Sequence, residues 1–276
     1  MSGRSVMIMV APNGGRRGKD VHPAIPLSPE EIVADAIDCS KAGAAAMHMH
    51  VRNNENGHTI NPECYQEVLD TVRGAVGHHM ILQVTSESGG IYAREEQMDM
   101  VRRLRPEAVS MAIAELAPEG VDEEDARKFF QFVKDERIAP QFICYSPADV
   151  TRLLDLRKRG IIPFSQPFAL FVLGRYTEDQ QSDPADLTPF VDALGEEEIP
   201  WAMCAFGQRE LDCVEAAVKA GGHVRVGFEN NVHRPDGTLA RSNGELVSLA
   251  ARRIRVLGDT PMGVEEARKF FNRTLQ

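Results

Sequence analysis

Two histidines one residue apart, His48 and His50, close the short apolar run Ala45–His50. Side chains alternate along an extended strand, so both imidazoles leave it on the same face. Paired imidazoles suit a divalent cation, zinc first, which in catalytic sites takes three protein ligands and keeps one position open. An isolated His-x-His is often incidental, so this reading needs a third donor from elsewhere. The run His223–Phe228 leads into Glu229 and Asn230. Arg225, Gly227 and Glu229 share one parity, and Val226 and Phe228 share the other. With the apolar pair packed outward, Glu229 and Arg225 face inward. His48, His50 and Glu229 are the expected metal ligands. Arg225 is expected beside them, either neutralising an anionic reactant or ion-paired with Glu229 or another acid. The other histidines, His22, His58, His78, His79, His223 and His233, have no comparable context and read as surface or loop residues.

These donors can meet only if their strands are neighbours. Eight strand-length apolar runs are found: Val6–Ala11, Ala45–His50, Met80–Thr85, Ala108–Ala112, Gln141–Tyr145, Leu170–Leu173, Trp201–Phe206 and His223–Phe228. Most are too continuous for a strand with one wet face, which suits parallel strands covered on both sides. Helical patterns lie between them. Ser28, with Pro29 and Glu31 behind it, and Asn61, with Pro62, are helix-start signals. Further helices are expected over Asp122–Glu136, Ala148–Gly160, Pro184–Leu194, Gln208–Ala220 and Asn243–Leu257. The alternation predicts an α/β fold, a (β/α)8 TIM barrel as a single domain over 1–276, with an extra C-terminal helix in Pro261–Gln276. An open doubly wound sheet would need a phosphate-binding glycine fingerprint after the first strand, and Asn13–Lys19 does not supply one. In a closed barrel, strands two and eight flank strand one, so His48, His50 and Glu229 converge at the mouth, where barrel enzymes carry their active sites.

Composition narrows the function classes. With 31 Lys and Arg against 41 Asp and Glu, the net charge is −10, against a general nucleic-acid binder. Five cysteines without a Cys-x-x-Cys argue against a disulfide framework and for a reducing compartment. The apolar run at the N-terminus is too short for a signal-peptide core, and no segment is long enough to span a bilayer. A cytoplasmic protein is expected. Arg157-Lys158-Arg159 reads as a solvated helix end favourable to the helix dipole, in preference to an anion contact.

The segments His48–Arg52, Gly221–Asn231, Phe171–Gly174 and Ser242-Asn243, taken in order, resemble the β-keto acid cleavage enzymes, and the similarity runs from about Val6 to Lys269. The resemblance implies a zinc-dependent barrel, active as a homo-oligomer, that converts a β-keto acid and acetyl-CoA into acetoacetate and a new acyl-CoA. His48, His50 and Glu229 then match the zinc ligands and Arg225 the active-site arginine. Thr85, with Ser86 beside it, matches a small hydroxyl residue that helps hold substrate. Three positions depart from the member of the family that acts on an amino-substituted keto acid. Asn230 replaces an aspartate thought to act as a base with the arginine. Glu115, at the end of the fourth run, stands in place of a threonine and is a candidate base, or else a capping or solvated carboxylate. Arg16 replaces a glutamate that receives the substrate's ammonium group. An arginine there favours an anionic tail, as in 3-oxoadipate or 3-oxoglutarate; its alternatives, shared with Arg17, are a solvated loop charge or a contact to CoA phosphates. Other metal-dependent barrel enzymes, hydrolases or aldolases, and a non-catalytic barrel that binds a metal and a keto acid remain as competing readings.

Overall fold

The computed structural model describes residues 3–276. Eight parallel strands close into a barrel in chain order: β1 Ile8–Val10, β2 Ala46–His48, β3 Ile81–Thr85, β4 Ala108–Ala112, β5 Ala139–Cys144, β6 Phe168–Leu173, β7 Trp201–Ala205 and β8 His223–Val226. Nearly every residue on these strands is buried, which accounts for the unbroken apolar runs. Strand β1 pairs with β8 on one side (Arg225 opposite Met9) and with β2 on the other (Met9 opposite Ala46). That register brings Arg225 and the end of β2 to the same side of the molecule.

The helices form the outer layer: α1 Pro29–Ala42, α2 Pro62–Val76, α3 Arg94–Leu104, α4 Ile113–Leu116, α5 Glu123–Asp135, α6 Pro147–Lys158, α7 Thr188–Leu194, α8 Glu210–Lys219, α9 Asn243–Val256 and α10 Val264–Thr274. The Ser28 hydroxyl accepts from the Glu31 N–H while the Glu31 carboxylate accepts from the Ser28 N–H, and the Asn61 side chain caps α2. The segment expected as one helix over 184–194 divides into a 3-10 turn, Pro184–Leu187, and α7. Helix α3 has no start signal in the sequence: its N-cap is Ala93, and only Glu96 reaches back to the Ala93 N–H, at 2.7 Å.

The C-terminal helix is present and closes the far end of the barrel. Phe270 and Phe271 of α10 meet Phe168, at the start of β6, with ring centroids 4.9 and 5.8 Å apart. At the mouth, an antiparallel hairpin of Val51–Arg52 and His58–Thr59 follows β2. Arg157 on α6 is ion-paired with Glu197, and Arg159, just past its end, with Glu123 and Asp155, an exposed network on the outer surface. Among the described residues no helix is long and apolar enough to cross a membrane.

Candidate active site

The two histidines arrive by different routes. His48 is the last residue of β2 and pairs in register with Gln83 of β3. Its Nδ1 lies 2.9 Å from Gln83 Oε1, and Gln83 in turn donates to Gln141 Oε1 at 3.2 Å. An acceptor at Nδ1 fixes the proton there and leaves the Nε2 lone pair free. His50 lies beyond the strand end. Asn13, in the loop after β1, holds its backbone: Oδ1 accepts from the His50 N–H and Nδ2 donates to the His50 carbonyl. Both ring nitrogens of His50 are buried without a partner. Burial holds both imidazoles well below the usual histidine range, with the Arg225 cation adding to the effect, so both are neutral near pH 7.

Glu229 reaches the same place by a turn and not by the strand parity expected for it. Strand β8 ends at Val226. Gly227 then takes φ 139°, and its carbonyl accepts from the Asn230 and Asn231 N–H groups. A side chain at Gly227 would put Cβ 2.4 Å from the Ala11 carbonyl oxygen, so the turn needs glycine. Phe228 leaves on the opposite side, into a small cluster with Ile25, Val232, Ala240 and Leu246. Asn243, at the start of α9, accepts from the Phe228 N–H and donates to the Pro12 carbonyl, clamping the turn to the β1 loop.

The result is a convergent donor set. Glu229 Oε2 lies 3.5 Å from His48 Nε2 and 3.9 Å from His50 Nε2, and the three ligand atoms all fall within 4.8 Å of one another. Glu229 Oε2 is buried and has no hydrogen-bond partner. Above it, Gly14 (φ 63°) packs so closely that a Cβ would sit 2.7 Å from Glu229 Cγ. Two neutral, buried imidazoles and a carboxylate oxygen, with the His50 nitrogens and Glu229 Oε2 unpartnered, form a donor set suited to zinc or a similar divalent ion.

Arg225 is buried beside this set. Its Nη2 donates to Glu229 Oε1 at 3.3 Å and to Cys204 Sγ at 3.4 Å, while Nε and Nη1 have no partner. Burial opposes its charge, but Cys204 and Glu229 more than offset that and keep it protonated. Arg225 and Glu229 line a cavity together with Arg16, Arg175, Glu87 and His58. Other predicted residues fall outside it. The Thr85 hydroxyl is buried and accepts from the Glu87 N–H and from Ser110 Oγ; Ser86 is buried and donates to the Ser110 carbonyl. They shape the turn that lifts Glu87 into the cavity. Glu115 sits on α4, and its two oxygens accept from the Ser88 N–H and hydroxyl at 3.0 and 2.7 Å, holding that same turn. Asn230 is fully buried beside Glu229, with both amide atoms unpartnered.

Three groups went unread in the sequence. Glu87 stands two residues past Thr85 on the same parity, with Oε2 3.9 Å from His50 Nε2; burial, and then the charge of Glu229, raise its pKa. His58, read as a surface or loop residue without a role, lines the cavity, with Nε2 2.8 Å from the Glu87 carbonyl. Glu210 is buried behind the turn, accepts from the Gly227 N–H and Asn231 Nδ2, and is pushed up to about 8 by burial. His223 differs from expectation, since it opens β8 and is buried with Nδ1 accepting from the Met7 N–H; His22 does sit in a loop, buried, with Nε2 2.8 Å from the Ala240 carbonyl.

A model of the beta-keto acid cleavage enzymes matches residues 5–272. The chain belongs to that family. It is 29% identical over 272 residues to the 3-keto-5-aminohexanoate cleavage enzyme of Fusobacterium nucleatum subsp. nucleatum, covering 97% of each chain. It is 27% identical over 274 residues to the 3-oxoadipate:acetyl-CoA acetyltransferase of Cupriavidus necator, covering 95% of this chain and 93% of that one. Its barrel superposes on the apo structure of ObcA with a TM-score of 0.72 and 18% identity over 90% of this chain. The match spans 65% of the length of that larger chain, and the likeness is one of fold.

Proposed function

We propose that the protein converts a β-keto acid and acetyl-CoA into acetoacetate and a new acyl-CoA, with His48, His50 and Glu229 holding a divalent ion, zinc in our reading. The observation that carries this is the set of buried, unpartnered donors on His50 and Glu229, the latter lining a cavity, in a family of β-keto acid cleavage enzymes. Relatives named for acetyl-CoA-dependent transfer from 3-oxoadipate and 3,5-dioxohexanoate support the co-substrate.

A bound divalent ion supplies Lewis-acid polarisation of the substrate ketone and a fixed orientation for it. The chain's own residues do the rest. Gln83 and Asn13 hold the two imidazoles, and Asn243 holds the turn that presents Glu229. Arg225 directs unpartnered N–H groups into the site and neutralises charge on the substrate carboxylate and on the enolate that develops when the carbon–carbon bond breaks. A proton must leave the carbon between ketone and carboxylate and be returned before acetoacetate departs. Asn230 cannot hold it at physiological pH, and the Glu115 oxygens are committed to Ser88. We assign that proton to Glu87, the carboxylate that lines the cavity beside Glu229. Arg16 lines the same cavity and favours a substrate with an anionic tail, as in 3-oxoadipate or 3-oxoglutarate.

The test is a coupled assay of zinc-loaded protein with acetyl-CoA and β-keto acids of cationic, neutral and anionic tail, following acetoacetate. Acetoacetate forms, fastest with the diacid. Silence across the panel despite bound zinc contradicts the proposed reaction.

A further inference from the structure

The turn that carries Glu229 is fixed peptide by peptide. Three successive N–H groups leave it toward three different elements. The Gly227 N–H donates to Glu210 Oε1 of α8 at 3.2 Å, the Phe228 N–H to Asn243 Oδ1 of α9 at 2.8 Å, and the Glu229 N–H to the Ala11 carbonyl after β1 at 3.1 Å. The carbonyls are held as well: that of Phe228 accepts from Arg17, and that of Asn230 accepts from the Gly207 N–H in the loop before α8. Two of the three outside acceptors are neutral. The third, Glu210, is a carboxylate that the proposed reaction does not use.

An acid in the first turn of a helix ordinarily faces solvent and the helix's own N–H groups. Glu210 is the first residue of α8, yet it is 3% exposed, and no other Asp or Glu among the described residues is buried outright. It lines no part of the cavity that Arg225 and Glu229 share. Its second oxygen accepts from Asn231 Nδ2 at 3.3 Å. That amide is fixed in direction, since Nδ2 also donates to the His233 carbonyl at 2.7 Å and Oδ1 accepts from the His233 N–H at 2.9 Å. Glu210 therefore meets a donor at each oxygen, an arrangement complete only for the carboxylate. Burial opposes its charge; the two donors favour it, and Arg17 and Arg225 favour it from a distance, without a hydrogen bond. An apolar side chain would fill the same space without that cost. What the carboxylate adds is two acceptors at once, and the residues they hold, Gly227 and Asn231, stand two before and two after Glu229.

We propose that Glu210 is a positioning residue for Glu229: from outside the cavity it sets the direction in which the turn presents that carboxylate to a metal ion. The inference rests on the reading of Glu229 as a metal ligand. Groups that orient a ligand from behind are commonly worth about 10- to 100-fold in metal affinity. Glu210 acts here through backbone and amide donors on both sides of the ligand, and touches neither metal nor substrate itself.

The experiment titrates metal-free protein with cobalt(II), read by its visible absorption, on wild type, Glu210→Gln, Glu210→Ala, Glu229→Gln and His223→Phe. Glu210→Ala is expected to weaken cobalt binding by about 10- to 100-fold and to change the absorption band, because Glu229 is no longer held in one direction. Glu210→Gln keeps an acceptor for the Gly227 N–H but turns an amide N–H toward Asn231. It is expected to fall between Glu210→Ala and wild type, and it carries the test if Glu210→Ala does not fold. His223→Phe, a buried change at the opposite end of β8, is expected to bind cobalt as wild type does. Wild-type affinity and spectrum in the folded Glu210 variants overturn the assignment, as does a loss that His223→Phe shares. Wild-type binding in Glu229→Gln defeats the ligand reading itself, and the role of Glu210 with it. Unchanged binding in the Glu210 variants beside a loss in Glu229→Gln leaves that reading standing and removes Glu210 alone.

Discussion

His50 and His223 are both buried imidazoles at the ends of barrel strands, and they occupy opposite kinds of environment. His223 opens β8. Its Nδ1 accepts from the Met7 N–H at 3.0 Å, and its ring packs against Phe168 and Phe270. His50 follows β2 at the mouth, with both nitrogens buried and unpartnered and a carboxylate oxygen 3.9 Å away. Folding leaves a buried polar group unsatisfied only at a cost of about 1–3 kcal/mol, so an unsatisfied cluster at the mouth marks a place meant for something else. The satisfied histidine serves the packing of the barrel floor, and the unsatisfied one is the ligand we propose for a divalent ion.

The comparison can be sharpened first at Glu87, which shares the mouth with His50. Glu87→Gln keeps the side chain's shape and removes its ability to hold a proton. It is expected to lower kcat by about 10²- to 10⁴-fold while zinc content, measured on the same preparation, stays the same. A variant that turns over like wild type would remove Glu87 from the chemistry.

A smaller effect, on stability and not on turnover, is expected at His223. Burial lowers its pKa from 6.5 to about 4, so the unfolded chain takes up the proton first. The contribution of the neutral ring is whole above pH 6.5 and is lost as pH falls toward 4, by roughly 3 kcal/mol. His223→Phe leaves the Met7 N–H without its acceptor and costs about 1–3 kcal/mol at pH 7. Denaturant midpoints across this range should show the wild-type advantage shrinking as pH falls. An advantage that is constant with pH would mean that His223 does not titrate as described.

The same contrast explains what the sequence could and could not disclose. The barrel was legible because its strands are buried on both faces and its helices start with capping residues such as Ser28 and Asn61. Helix α3 was not, because Ala93 cannot cap and Arg94–Leu104 is strongly polar. His48, His50 and Glu229 were found from strand parity, although parity was the right guide only for His48: Asn13 orients His50, and the Gly227 turn delivers Glu229. His58 was missed because its hairpin strands are two residues long, too short for any pattern. Glu87 was within reach, since it shares the parity of Thr85 at a strand end. The hydroxyls of Thr85 and Ser86, the more conspicuous residues at that strand end, shape the backbone beneath it.

The most direct test of the account is a zinc titration of metal-free protein against a chromophoric chelator, run on wild type, Glu229→Gln and His223→Phe. The account predicts one tightly bound equivalent in wild type and in His223→Phe, and a loss of at least about 100-fold in affinity for Glu229→Gln. Failure of the wild type to take up one equivalent, or uptake that does not change in Glu229→Gln, would contradict it.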